Sequence, residues 1–175
     1  MIKFITSIGI PGSGKTSILK PFAEKNGYTY ISSDEVRHEV TGSKTDMSRQ
    51  MEVFDKIRQM IKEEIEHGHT VVFDSTLSNE KVRRDILSFA KECGAEKIQG
   101  LYIEAPSEIA WERNSKREVP VPENDFNHMK QKLENIPPEL SDGFDTLISI
   151  DYEGNLIEVD LHRESEEWRK GFKLR

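Results

Sequence analysis

Cysteine is nearly missing from this chain. Cys93 is the one thiol among 175 residues, so no internal disulfide can form, which agrees with a reducing compartment and a cytoplasmic protein. Long apolar runs are missing too. None approaches the ~20 residues needed to cross a bilayer, which excludes a helical membrane span. The N-terminus, MIKFITSIGIPGSGKT, starts apolar but runs directly into glycines, without the basic start or small-residue cleavage site of a signal peptide. Positive charge is also in short supply. Asp and Glu number 32 against 25 Lys and Arg, a formal net charge of −7. That balance speaks against a broad surface wrapped in nucleic acid, although a small basic pocket gripping one nucleic-acid end is compatible with it. Internal repeats, low-complexity tracts and obvious linkers are absent.

What remains is an ordinary globular balance, 33% charged and 35% hydrophobic, on a length that suits one domain, residues 1–175. Ile2–Ile8 is a short apolar run ending at glycines and reads as a buried parallel strand. A helix is expected from Lys15 to about Lys25, stopped by Gly27, then a strand over Tyr28–Ser32. Met47, Met51, Phe54, Ile57, Met60, Ile61 and Ile65 recur at helical period and predict a helix over Met47–His67. Strands over Thr70–Phe73, Lys97–Ile103 and Thr146–Ile150 alternate with helices over Asn79–Cys93, Pro106–Asn114 and Glu123–Asn135. Asp151–Asn155 reads as a turn into Leu156–Leu161, a terminal hairpin, and a charged surface helix is expected from Arg163. Strands alternating with helices predict a three-layer α/β domain with a mainly parallel five-stranded sheet and helices on both faces.

Gly9-Ile-Pro11-Gly12-Ser13-Gly14-Lys15-Thr16 satisfies G-x-x-x-x-G-K-[ST], between a strand and a helix as the motif requires. The glycines let the loop turn successive backbone N–H groups toward a nucleotide's β-phosphate, and the following helix adds its positive end. Lys15 sets a point charge on the β- and γ-phosphates, and the Thr16 hydroxyl is placed to hold Mg²⁺. Guanine-reading N-K-x-D and T-K-x-D segments are absent, and the chain is short for a motor or large ATPase. A small α/β domain of this kind is most often a P-loop kinase using ATP and Mg²⁺.

Ser32-Ser33-Asp34-Glu35-Val36-Arg37 follows the second strand, and the carboxyl ends of neighbouring strands share one crevice. Asp34 and Arg37, at i and i+3, share a face if a helix starts there. The carboxylate can then accept a proton from an attacking hydroxyl while the arginine steadies the transferring phosphoryl group; the plainer alternative is a helix cap and a surface arginine. Asp74 ends an apolar strand and is followed by Ser75 and Thr76. It can support Mg²⁺ through water, contact the acceptor hydroxyl, or cap the next turn. Arg113-Asn-Ser-Lys116-Arg117, leading to Val119-Pro120-Val121-Pro122, reads as a lid over about 113–122 that brings guanidinium groups to the phosphates. Lys81, Arg83 and Arg84 read first as helix surface and second as contacts to a substrate phosphate. His67 and His69 lack the further ligands of a metal site. Phe22, Phe54, Phe73 and Phe89 read as core, and Trp168 as packing on the body of the domain.

These pieces resemble the kinase domain of phage-type 5′-hydroxyl polynucleotide kinases and the related P-loop kinases of bacterial RNA repair. Gly-Ile-Pro-Gly-Ser-Gly-Lys-Thr at 9–16, Ser-Asp-x-x-Arg ending at Arg37, Phe-Asp-Ser-Thr-Leu at 73–77 and Arg-Asn-Ser-Lys-Arg at 113–117 match in order, and the likeness covers about residues 1–140. It implies in-line transfer from ATP to the 5′-hydroxyl of a DNA or RNA end. Asp34 is then the general base, Arg37 and Lys15 act at the phosphate in transit, Arg113 and Arg117 grip the ATP, and Asp74, Ser75 and Thr76 lie on the substrate side. Two departures stand out. Ser33 occupies the place where the phage enzyme carries a substrate-holding arginine, and the phosphatase pattern D-x-D-x-[TV] is absent. Two other readings stay open, a kinase of a small metabolite or nucleotide sugar similar to the zeta toxins, and a nucleotide-binding switch without transfer. The sequence leaves open whether the chain forms homo-oligomers.

Overall fold

In the computed structural model, which describes residues 1–161, the short apolar runs become β1 (Lys3–Ile8), β2 (Thr29–Ser32), β3 (Val71–Asp74), β4 (Lys97–Glu104), β5 (Thr146–Asp151) and β6 (Leu156–Leu161). Between them lie α1 (Lys15–Asn26), α2 (Ser33–Thr41), α3 (Gln50–Glu66), α4 (Glu80–Glu92), α5 (Ser107–Ser115) and α6 (Glu123–Asn135). β1 to β5 run parallel in the order β2-β3-β1-β4-β5, and β6 extends the sheet antiparallel to β5. The expected five-stranded sheet therefore gains a sixth strand from the hairpin. The helix expected from Arg163 and the packing of Trp168 fall outside the described residues. Among the described residues no helix is long and apolar enough to cross a membrane.

Side chains that alternate along β1 divide the interior. Phe4 faces one way, with Phe73 and Ile98 of the neighbouring strands, against Val53, Ile57, Ile61 and Ile65 of α3 and Ile86, Leu87 and Ala90 of α4. Ile5 faces the other way, with Val72, against Leu19 and Ala23 of α1. Period-2 strands and period-3.6 helices meet in three layers. Gly100, in the middle of β4, makes room for the rings across it: a Cβ there would stand 2.7 Å from Phe144 and 2.8 Å from Leu147.

Three expectations need correction. The α3 helix begins at Gln50, not Met47, because residues 43–48 close on themselves; the Asp46 carboxylate accepts from the Ser48 amide at 2.9 Å. Met47 and Met51 are consequently exposed, 38% and 82%, and the core stripe is Val53, Ile57, Ile61 and Ile65. Phe22 is 39% exposed and rests edge-on against Tyr28 instead of entering the core.

Arg83 is neither surface nor substrate contact. It is wholly buried and donates to Asp142 at 2.7 Å, to the Leu77 carbonyl at 3.0 Å and to the Ile136 carbonyl at 3.2 Å. Asp142 also receives Arg84 at 3.1 Å. One guanidinium thus joins α4, the segment after β3 and the segment after α6, with its charge paired and its donors occupied, as a buried ion requires. Arg83→Ala, which strands the Asp142 carboxylate in the interior, should lower the unfolding free energy in urea by about 3–5 kcal/mol. A loss below about 1 kcal/mol would refute this role.

Candidate active site

The glycine loop leaves β1 and enters α1, with Gly12 and Gly14 at φ of +82° and +99°. At Gly12 a Cβ would stand 2.1 Å from the Ala110 carbonyl oxygen, so the loop lies directly on the backbone of α5. Lys15 opens α1, whose first turn carries no acidic residue, and the helix's free N–H groups and positive end face the cleft. The Lys15 ammonium is buried and donates to the Ile10 carbonyl at 2.9 Å. Burial pulls its pKa down to about 8, against the opposing pull of Asp74 and Asp34. The Ser13 hydroxyl is buried without a hydrogen-bond partner.

β2 ends at Ser32, whose hydroxyl accepts from the Glu35 amide at 3.3 Å and caps α2. Capping by Ser32 leaves Asp34 free to face the cleft. Arg37 is 8% exposed and holds Asp34 Oδ1 at 2.9 Å, with further bonds to the Lys44 carbonyl at 3.1 Å and Gln50 Oε1 at 3.3 Å. It is not a surface arginine.

Asp74 closes β3 beside β1, opposite Ser32 in register. Its Oδ2 accepts from Thr16 Oγ1 at 2.6 Å and from the Tyr30 hydroxyl at 2.5 Å. Burial, then the bond to this carboxylate, pushes the Tyr30 hydroxyl well above its usual range and keeps it a donor. The Ser7 hydroxyl donates to the Ser75 carbonyl at 2.8 Å, and the Gly9 amide to the Thr76 carbonyl at 3.1 Å. Ser75 and Thr76 therefore brace the glycine loop through their backbones while lining the cleft.

The segment expected as a lid begins in α5. Asn114 is fully buried and clamps Val121 in both directions, its Nδ2 donating to the Val121 carbonyl at 2.9 Å and its Oδ1 accepting from the Val121 amide at 3.0 Å. From this stapled loop Arg117 reaches Asp34 Oδ2 at 3.3 Å. Arg113 lies over the Tyr152 ring, 5.1 Å from its centre, at the β5–β6 turn. Asp34 is thus held by one arginine from α2 and one from the loop between Asn114 and Val121.

A cleft of about 850 Å³ joins these groups. Pro11, Gly12, Gly14, Lys15, Thr16, Asp34, Arg37, Asp74, Ser75, Thr76, Arg113 and Arg117 all line it, while Gly9 and Ser13 sit behind the loop surface. The AAA domain family model matches residues 4–136, from β1 through the last residue after α6. The chain belongs to the AAA domain family. Among relatives of this AAA domain, the L-seryl-tRNA(Sec) kinase of Methanococcus maripaludis is 29% identical over 72% of this chain and 50% of its own length. A protein of Acanthamoeba polyphaga mimivirus, named as a bifunctional polynucleotide phosphatase/kinase, is 22% identical over 97% of this chain and 37% of its own. The chain thus spans half or less of these curated relatives. A chain in the structure of the Pnkp1/Rnl/Hen1 RNA repair complex shares the fold, with TM-score 0.68 and 18% identity over 94% of this chain and 50% of that one.

The AAA domain's donor set fits a Mg²⁺–nucleoside triphosphate. Ser13 and Lys15 offer a buried hydroxyl without a partner and a desolvated ammonium. Mg²⁺ on phosphates keeps several waters and needs only one or two protein oxygens; Thr16 and Asp74 place such oxygens 2.6 Å apart. Sequence reasoning missed Tyr30, Asn114 and Tyr152. Tyr30 and Tyr152 lie in no recognisable motif, Asn114 lies in one without its role being marked, and each acts through a partner brought near by folding.

Lys15 makes the site unstable without its ligand. Between pH 8 and 10.5 the unfolded chain retains the Lys15 proton that the folded chain has released, so this group's contribution to stability rises with pH across that window. Below it, the buried charge costs about 3 kcal/mol. Lys15→Met should therefore raise the unfolding free energy of the ligand-free protein at pH 7 by about 2–3 kcal/mol, flatten its rise from pH 8 to 10.5, and abolish ATP binding. A destabilised variant at pH 7 would contradict the desolvation argument.

Proposed function

We propose that the protein transfers the γ-phosphoryl group of ATP to the 5′-hydroxyl of a DNA or RNA end. The observation that carries this reading is the Asp34 carboxylate, across the cleft from Lys15 and bound by Arg37 at 2.9 Å and Arg117 at 3.3 Å. A hydroxyl acceptor requires such a carboxylate beside the γ-phosphate, and phosphoryl transfer requires converging cations. The Ser-Asp-x-x-Arg and Arg-Asn-Ser-Lys-Arg segments favour a polynucleotide acceptor. So do the curated relatives, both named for acceptors that are or carry nucleic acid.

In this reading Lys15 and the loop amides hold the β- and γ-phosphates, and Thr16 with Asp74 holds the place of Mg²⁺, which supplies charge neutralisation when bound. This puts Asp74 on the metal side, supported by its bond to Thr16, and not among the acceptor contacts. Asp34 accepts the hydrogen bond of the attacking hydroxyl and takes its proton as the new P–O bond forms. The bond from the γ-phosphorus to the bridging oxygen breaks, and ADP leaves. A loose transition state asks chiefly for orientation of the hydroxyl, which Asp34 supplies. Arg117 exchanges its bond to Asp34 for the phosphates, neutralising charge as it spreads onto the equatorial oxygens.

Labelled γ-phosphate should pass from ATP to 5′-hydroxyl oligonucleotides. Asp34→Ala and Arg37→Ala should each reduce kcat by about 10²–10³-fold, with ATP affinity within about threefold by equilibrium binding. Near-normal transfer by Asp34→Ala, or loss of its ATP binding, would remove it as the acceptor-side carboxylate. Label on a sugar hydroxyl but on no oligonucleotide would move the assignment to a small-metabolite kinase.

A further inference from the structure

Tyr30 belongs to none of the sequence segments that carry the site, yet its hydroxyl stands in it. On β2 it lies opposite Val72, two positions before Ser32, which lies opposite Asp74. Side chains two apart on a strand share a face, and an aromatic ring reaches the diagonal neighbour on the next strand. The ring packs with Ile5, Val72, Leu19 and Ala23 in the apolar layer between the sheet and α1. That packing aims the hydroxyl at Asp74 Oδ2, 2.5 Å away.

Thr16 Oγ1 donates to the same oxygen at 2.6 Å. Oδ1 accepts no hydrogen bond among the described residues, although Asp74 is buried at the foot of the cleft and lines it. A carboxylate turns readily about its last torsion, whose wells are broad. With Thr16 as its one partner it would swing about that bond; a second donor, from a different element, fixes its plane and so the direction of Oδ1. Tyr30 does this without charge. A lysine or arginine in its place would neutralise Asp74 and compete with a cation, whereas a phenol orients the carboxylate and leaves its charge for a metal.

We propose that Tyr30 is a positioning residue for Mg²⁺, holding Asp74 Oδ2 so that Oδ1 remains available to the metal or to one of its waters. The inference rests on the metal-side reading of Asp74 given above and adds a residue to it. It does not depend on which hydroxyl receives the phosphate. A bond that serves the fold alone would have the same geometry, because a buried carboxylate needs donors whatever its task. The two roles part at metal affinity, which a bond serving only the fold leaves unmoved.

Mn²⁺ stands in for Mg²⁺ in the experiment, since its free form is counted by electron paramagnetic resonance. It is titrated into the protein saturated with a non-hydrolysable ATP analogue, with no acceptor present. The proteins compared are the unaltered chain, Tyr30→Phe, Asp74→Asn, and Tyr28→Phe, which removes a phenol hydroxyl just before β2 and away from the cleft. Tyr30→Phe keeps the ring and should weaken Mn²⁺ binding about tenfold, while its affinity for the analogue in EDTA stays within about twofold. Asp74→Asn should lose at least as much, and Tyr28→Phe nothing. Unchanged Mn²⁺ affinity in Tyr30→Phe, with Asp74→Asn impaired, would overturn the inference and leave the metal-side reading of Asp74 standing. Unchanged affinity in Asp74→Asn as well would remove both. Loss of metal-free analogue binding by Tyr30→Phe would also overturn it, because Tyr30 would then shape the glycine loop and not the metal's surroundings.

Discussion

β1 lies between β3 and β4, and its hydrogen-bonded register with β3 sets where Lys15, Thr16 and Asp74 meet at the foot of the cleft. Because the strands are parallel, their carboxyl ends emerge on one side, and the chain must leave each of them there. β1 releases the glycine loop, β3 delivers Asp74 to the foot of that loop, and β2, one strand further out, delivers Asp34. Cross-strand bonds make the placement rigid: Ser7 is joined to Ser75 and Gly9 to Thr76. The carboxylate at Asp74 and the hydroxyl at Thr16 meet because two strands are in register, not because either residue is flexible enough to find the other.

Legibility in the sequence followed locality. The glycine loop was readable because its geometry is specified by consecutive residues, and the Asp34–Arg37 pairing because helical spacing alone puts them on one face. The start of α2 was less so, since Ser32, Ser33 and Asp34 can all cap a helix and only the backbone path selects Ser32. Methionine fits helical period and exposed turn equally well, so the apolar pattern ran past the true start of α3 into Met47. Arg83 was hidden for a different reason. Its neighbours Lys81 and Arg84 look like solvated helix surface, and the carboxylate that neutralises it is 59 residues away. Tyr152 reaches the glycine loop only through the sheet order, which no local pattern encodes.

Net charge is a poor guide to such a protein because it averages over regions with opposite tasks. Six lysines are spent in surface pairs with nearby acids, whereas Lys15, Arg37, Arg113 and Arg117 converge on one cleft. The deficit of positive charge keeps the exterior from holding polyanions indiscriminately, and the local excess lies where field lines are focused by low-dielectric walls. An acidic protein can on these terms still present a strongly cationic site to an anionic ligand.

The Asn114–Val121 staple has an evolutionary consequence. Both ends of the loop between them are fixed by a buried amide, so the closure does not depend on which residues lie inside it. Loop entropy grows slowly with length, and insertions or exchanges within 115–120 can be accepted without disturbing the glycine loop or the core. Among the described residues, Arg117 alone has a long-range side-chain bond to defend in that stretch. Sequence change can therefore enter at this point first, altering the loop beside the cleft while keeping the machinery beneath it.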